Sequence, residues 1–474
     1  MKETEERKNT KKRKAKFKMP DVYVLLFFLV VLASVATYVI PAGEYDRVEQ
    51  NDITVVDPDS FHSVEQSPVG ISNIFMSIAE AMIDSADIIF LILFLGGAFR
   101  LMEASGAINA GVLSLINKFE NRRSLLIVLL GSMFALLLTT GFSANATVAF
   151  IPIGILIAKA LKLDAIAGVA IVFLTSMTGF TIAFLNPKVL GIAQQVAELP
   201  LFSGIGYRIV LFVVFTVITI LYILWYCKRI QDDPSKSYMG ENKFPHDTSE
   251  VSIDTDIKFT VKHSIVLLLF IAGMAFYVYG ALNLDFGMNE MTALFLVIAI
   301  GSGIITGLNA NEIVAEFMNG MRGLVYAALI VGAARAVVFV LEDGKIVDTI
   351  INGFAQVLEL FPSDIAAIGM LWANAIFNFF VNSGSGQAMV TMPIWTPLAD
   401  ILGITRQVTV QAFQFGDGIT NLLWPTSGTL MAALAMGGVP YGAWFKFIWR
   451  LILIWMILAS IAIYVAMLFN WGPF

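Results

Sequence analysis

Two polar, glycine-rich stretches interrupt sequence that is otherwise apolar enough to sit in lipid. One is Asn382-Ser383-Gly384-Ser385-Gly386-Gln387-Ala388; the other runs from Gln414 through Gly416-Asp417-Gly418 and Thr420-Asn421 to Trp424-Pro425-Thr426-Ser427-Gly428. Irregular backbone at membrane depth persists only where protein or a water-filled cavity satisfies its N–H and C=O groups. Broken helices near the midplane are the usual solute sites of secondary transporters. Asp417 is the sharpest candidate, a carboxylate between two glycines inside an apolar span. A charge at the bilayer centre costs at least about 3 kcal/mol on insertion scales, so it must be paired, protonated or facing water. It can bind a substrate ammonium, coordinate a cation or carry a proton; the bland alternative is a cap on the broken helix.

The first half holds matching stretches: Thr140-Gly141-Phe142-Ser143-Ala144-Asn145-Ala146-Thr147, and Asn186-Pro187-Lys188. Turns of this kind supply helix N-termini, whose unpaired N–H groups and dipole attract carboxylates. Ser143, Asn145, Thr147, Ser383, Ser385 and Gln387 add hydroxyl and amide partners, as do Thr426 and Ser427 at the last break. Asn186 and Asn421 either bind ligand or satisfy broken backbone. Lys188 either pairs with a substrate carboxylate or snorkels to an interface. The competing reading of the small residues is tight helix packing. Arg100 and Arg335 suit anchors or ties between helices.

The elements that must position these groups are membrane spans. The chain has 474 residues, 58% hydrophobic and 14% charged, with net charge −6 and mean hydropathy +0.79. Charged residues make up about a quarter of soluble domains, so a soluble domain is excluded. Cys227 is the single cysteine, and His62, His246 and His263 are scattered, so no metal cluster is expected.

The basic tail, residues 1–20, is cytoplasmic by the positive-inside rule, and its charge abuts a span, which argues against nucleic acid. The first apolar run exceeds a signal-peptide core and reads as a retained span. Residues 42–67 are polar and acidic, and lie outside. The first transmembrane half covers 21–227. Within it, residues 124–162 have basic residues at both ends (Arg122, Arg123; Lys159, Lys162), so they form a re-entrant hairpin. The next span breaks at Asn186-Pro187, since proline removes a helix hydrogen bond. Residues 228–261 are a polar cytoplasmic linker. The second half covers 262–474, with a hairpin at 365–402 that enters from the outside. The fold expected is an all-α polytopic membrane protein with about nine spans of roughly 20 residues.

The two halves repeat. Gly97-Ala98-Phe99-Arg100 aligns with Gly332-Ala333-Ala334-Arg335, Pro152 with Pro393, Asn186-Pro187 with Trp424-Pro425, and Pro200 with Pro440, at offsets of roughly 235–241. Charge places the first hairpin inside and the second outside. The same order in opposite orientation is an inverted-topology repeat, which suits alternating access.

The second-half motifs quoted above, with Gly191-Ile192-Ala193-Gln194 and Leu199-Pro200-Leu201-Phe202-Ser203-Gly204-Ile205-Gly206-Tyr207-Arg208, resemble the YfcC/DcuC family of anaerobic four-carbon dicarboxylate carriers. The resemblance covers roughly residues 20–470, and the family also includes arginine–ornithine exchangers. It is similar in turn to the AbgT and divalent-anion/sodium carriers of the ion-transporter superfamily. The resemblance implies a scaffold plus a transport domain, elevator-like movement, a homodimer and the bacterial cytoplasmic membrane. Those relatives carry a Ser-Asn-Thr signature at each hairpin tip. Here the first tip interleaves alanines and the second has no match, a departure at the positions from which a sodium site would carry over.

The function expected is secondary active transport of a small carboxylate-bearing metabolite, either an amino acid or a C4-dicarboxylate. The partners expected are that solute and membrane lipid, not nucleic acid. No cofactor is expected; the coupling ion is Na⁺ or H⁺. No Gly-rich run ends in Gly-Lys-Ser/Thr, so nucleotide hydrolysis does not drive it. The alternatives are an ion or anion channel, which needs a continuous pore, and a peptide transporter. A membrane enzyme lacks its catalytic constellation.

Overall fold

Backbone in lipid must satisfy its own hydrogen bonds, and apolar sequence therefore becomes helix. The computed structural model describes residues 22–50, 53–108, 110, 111, 114, 123–139, 144–245, 259–284 and 286–472. The basic tail, Ser143 and residues 246–258 of the linker lie outside that set. Among the described residues, four helices are long and apolar enough to cross a membrane: Ile205–Asp232, Met288–Thr306, Ala310–Asp343 and Tyr441–Leu468. Further apolar helices include Val22–Val39, Ala86–Ala104 and Val261–Asn283.

Ala310–Asp343 starts at a polar edge, Asn309-Ala310-Asn311-Glu312. Asn309 and Glu312 form a reciprocal capping box, with Glu312 N donating to Asn309 Oδ1 at 3.1 Å and Asn309 N to Glu312 Oε2 at 2.8 Å. The 34-residue helix is about 51 Å long at 1.5 Å per residue.

The elements recur in one order. A helical pair, Arg123–Thr139 and Ile151–Ala160, precedes a broken helix, Ala165–Thr181 then Pro187–Gly191 and Ile192–Val196, and a 28-residue helix, Ile205–Asp232. The second pair, Ser363–Phe377 and Gly384–Leu402, precedes Arg406–Thr420, Gly428–Met436 and the 28-residue Tyr441–Leu468. The first pair approaches its broken helix where Gly179 has no side chain, since a Cβ there would collide with the Ala135 carbonyl. The equivalent arginines tie helices together: Arg100 donates to Glu316 at 2.7 Å and Arg335 to Asp84 at 2.9 Å.

Two regions depart from an all-α reading or from loop. Gly43–Glu44 pairs antiparallel with His62–Ser63, and Arg47–Gln50 with Ile53–Val56. The acidic composition of this stretch hid its β-branched run, Ile53-Thr54-Val55-Val56. The excursion is docked: Tyr45 N donates to Asp348 Oδ2 at 3.0 Å and the Tyr45 hydroxyl to Asn352 at 3.1 Å. Burial, then the charge of Asp348, pushes the Tyr45 phenol up to about 12, so it remains a donor. The second region is the helix Val347–Leu358, which buries Asp348, Ile351, Ala355 and Leu358 on one face at helical spacing.

The start of the linker is also docked. Tyr226 and Ser237 hydroxyls each donate to Asp164 Oδ2 at 2.6 Å, and Ala165 N donates to Lys243 O at 3.1 Å. Asp164 Oδ1 accepts from Ala167 N at 2.9 Å, which caps the first broken helix. At the centre lies Arg406–Thr420, buried at every residue from Gln407 on.

Candidate functional site

Each break exposes backbone groups that lipid cannot satisfy, and side chains from other elements satisfy them. At the first break, Asn186 Oδ1 accepts from Lys188 N at 2.9 Å and Val189 N at 3.2 Å, replacing bonds that Pro187 removes. Gln414 Nε2 donates to Ala183 O at 2.8 Å, and Leu185 N to Thr139 O at 3.1 Å. At the second break, Trp444 Nε1 donates to Leu422 O at 3.0 Å and the Tyr441 hydroxyl to Leu423 O at 2.7 Å. Trp424 turns away to donate to Ala375 O at 2.8 Å, so it braces the break. The two broken helices touch at Gly418, where a Cβ would lie 2.5 Å from Thr181 Cα.

A polar stripe runs along Arg406–Thr420 at steps of three and four: Gln407, Gln411, Gln414, Asp417 and Asn421. Its outer part clasps Arg208, which is fully buried. The guanidinium donates to Gln411 Oε1 at 2.7 Å and Gln414 Oε1 at 2.5 Å, and stands over the Trp471 ring at 5.2 Å. Its inner part meets the second pair's tip. Asn378 Nδ2 donates to Asp417 O at 3.0 Å, Thr420 Oγ1 at 2.9 Å and Asn421 Oδ1 at 3.0 Å. Asn382 Nδ2 donates to Asn421 Oδ1 at 2.7 Å, and Asn421 Nδ2 to Asp417 Oδ1 at 3.2 Å.

The Asp417 side chain is fully buried and its Oδ2 has no hydrogen-bond partner among the described residues. Gly384 of the tip lies against that oxygen, since a Cβ there would stand 3.1 Å from it. A buried carboxylate oxygen left unpaired is costly, and its orientation toward the tip is where a ligand would repay that cost.

A cavity of about 230 Å³ opens where both tips and both breaks meet. Four helical N-terminal ends border it. Asn145 begins the turn into Ile151–Ala160; Asn186 and Lys188 begin the segment after the first break; Ser383 to Ser385 begin Gly384–Leu402; Ser427 and Thr429 begin Gly428–Met436. Ser383 and Ser427 cap their helices, accepting from Gly386 N at 3.3 Å and Leu430 N at 3.4 Å. The positive ends of these segments favour an anion. The C-terminal ends of the segments before each break also face in, through Met177, Phe180 and Asn421, with Asp417 one turn behind Asn421. Helical N-terminal and C-terminal ends thus both border the cavity, and the Asp417 carboxylate lies against the Gly384 end.

Of the residues expected from sequence, Asn145, Asn186, Lys188, Ser383, Ser385, Asn421 and Ser427 line this cavity. Thr147, Gln387, Asp417 and Thr426 are buried behind it. Thr147 donates to Ala144 O at 2.6 Å and Gln387 to Asn374 O at 3.1 Å, so both brace the tips from within. Ser143 lies outside the described residues. Sequence reasoning missed Asn378, Asn382 and Thr429. The Thr429 hydroxyl bonds Asn145, joining the first tip to the second broken helix. Their signal was spacing: Asn374, Asn378 and Asn382 recur every four residues before the tip.

The family model for DcuC, described as C4-dicarboxylate anaerobic carrier, matches residues 19–468. The chain is 31% identical to the Escherichia coli (strain K12) protein described as "Putative basic amino acid antiporter YfcC", over 96% of this chain and 97% of that protein. It is 30% identical to an uncharacterised protein of Haemophilus influenzae, over 96% of this chain and 98% of that one. Among solved structures it is similar to the YdaH transporter of Alcanivorax borkumensis (TM-score 0.41, 18% identity, 96% of this chain and 100% of that one). It is likewise similar to MtrF of Neisseria gonorrhoeae (TM-score 0.41, 19% identity, 96% of each chain). Helices of membrane length, a cavity between two helix breaks and a family match over nearly the whole chain lead to one conclusion: this chain belongs to the DcuC family of secondary carriers and is a multi-pass membrane transporter of a bacterial family, not an enzyme.

Proposed function

We propose that the chain exchanges amino acids, with basic amino acids such as arginine and ornithine as its substrates, by alternating access. One observation carries this reading: helical N-terminal ends and Lys188 border the cavity, and the Asp417 carboxylate, with an oxygen unpartnered among the described residues, lies against Gly384 of the same lining. A solute carrying both a carboxylate and a cation matches these two kinds of group. Ser383, Ser385, Asn145, Asn186, Lys188 and Ser427 hold the carboxylate, and Asn421 with Asp417 holds the cationic group. Asn382 and Asn378 position Asn421. The name of the similar Escherichia coli protein supports the same class.

The architecture that goes with this reading is an inverted-topology repeat. It has about nine spans and two re-entrant hairpins, at 124–162 and 365–402, in halves 21–227 and 262–474 joined by the 228–261 linker. The N-terminus is cytoplasmic. A transport domain of hairpins and broken helices moves against a scaffold in a homodimer of the bacterial inner membrane. The recurrence of elements, with 28-residue helices closing each set, supports the repeat.

A second reading, C4-dicarboxylate transport, is favoured by Lys188, the one charged side chain bordering the cavity among the described residues, and by the family's description. Counterflow in proteoliposomes with labelled arginine, aspartate and succinate decides between them, with Na⁺ and H⁺ gradients imposed in turn. Saturable arginine–ornithine exchange supports the first reading. Uptake of succinate alone, unaffected by Asp417→Asn, overturns it.

A further inference from the structure

A second cavity, of about 430 Å³, lies behind the same tip. Val381 and Gly386 border it, whereas residues 382–385 border the first cavity, so the thickness of one turn separates the two. Its other wall comes from the strand excursion, the end of Ala310–Asp343, the turn after it and the start of Val347–Leu358, and carries both signs of charge: Glu44, Glu342 and Asp348 against Arg47 and Lys345. The volume falls in the range of small-molecule sites, about 300–1,000 Å³.

We propose that this cavity is a second solute site, in series with the first across the tip, and that it takes an amino acid carrying a carboxylate and a side-chain cation. It rests on the amino-acid reading above and adds a reason for the basic subclass. Arg47 holds Asp348 through two bonds, at 2.9 and 3.1 Å, and Lys345 stands 3.3 Å from Glu44. These pairs neutralise four charges. Glu342 forms no ion pair among the described residues, and three carboxylates against two cations leave the wall with one excess negative charge. A cationic group is drawn to that excess, while a dicarboxylate would add two more negative charges to it. The Lys345–Glu44 pair is exposed on both partners, at 42% and 41%, so Lys345 can turn to a solute carboxylate at little cost, whereas Arg47 stays on the buried Asp348. Gly386, which borders this cavity, gives its N–H to the Ser383 cap, so movement of the tip alters both sites together.

The test is equilibrium binding of labelled arginine to the full-length protein in lipid nanodiscs, counted per chain, beside arginine counterflow in proteoliposomes. The native chain is expected to bind two arginines. Glu342→Gln is expected to bind one, with KM for arginine raised about tenfold. Native chains that exchange arginine but bind one molecule overturn this proposal alone, as does a folded Glu342→Gln with unchanged stoichiometry and KM. Should Glu342→Gln fail to fold, the native stoichiometry still decides. Native chains that neither bind nor exchange arginine overturn the function reading, and this site with it.

Discussion

Two aspartates, each fully buried and each on a broken helix, are treated in opposite ways. Asp164 opens Ala165–Thr181, and both its oxygens are satisfied, by Ala167 N and by the Tyr226 and Ser237 hydroxyls. Asp417 lies near the end of Arg406–Thr420; among the described residues one oxygen takes a single 3.2 Å bond from Asn421 and the other takes none. Burial is thus no guide to role. A carboxylate with three donors holds an element in place, and a carboxylate half-bonded among the described residues beside a cavity is the one that the proposed function assigns to the solute.

The largest expected effect separates the two. Asp417→Asn should cut exchange by at least about a hundredfold, a transition-state loss of about 2.7 kcal/mol, measured as initial counterflow rate. Its thermal midpoint in detergent should hold or rise, because the unpaired buried charge is gone. Asp164→Ala should do the reverse. Stability should fall by about 3 kcal/mol as two hydroxyls and a helix N–H lose a charged acceptor, while the chains that remain folded keep their KM. An Asp417→Asn variant that unfolds while keeping its rate, or an Asp164→Ala variant with native stability, breaks the comparison.

Gly418→Ala sharpens it. A Cβ there meets the backbone of Thr181, so the two broken helices must separate, at a cost of about 1–3 kcal/mol. The expected result is a lower thermal midpoint together with a raised KM, since Thr181 follows Phe180 and Gly418 follows Asp417 beside the cavity. The smallest effect is expected from Asn382→Ala, which removes one 2.7 Å bond to Asn421. A loss of about 1 kcal/mol in holding Asn421 corresponds to a KM raised roughly fivefold with maximal rate little changed.

The breaks and tips were legible in sequence because glycine, proline and polar side chains stand out against apolar surroundings, as at Asn186-Pro187 and Ser383–Gln387. Asp417 was legible for the same reason, though its position behind the cavity was not. Asp164 was invisible: it stands close to Lys159 and Lys162 in sequence, and its hydroxyl donors come from 62 and 73 residues away. The stripe from Gln407 to Asn421 and the Asn374–Asn378–Asn382 series were visible as spacing. What they bond is set by tertiary packing, which spacing does not specify. The strands of residues 43–63 were masked by acidic composition, since their pairing is stabilised by docking on Asp348 and Asn352.

Ser385 borders the cavity on one tip, whereas Cys227 is buried. The most direct measurement is therefore the rate at which a membrane-impermeant maleimide modifies Ser385→Cys, placed in a Cys227→Ala background and reconstituted in proteoliposomes. Saturating arginine is expected to slow modification at least fivefold, and that protection should vanish when Asp417→Asn is added. Modification at one rate with and without every solute that the protein exchanges would contradict the assignment of this cavity as the solute site.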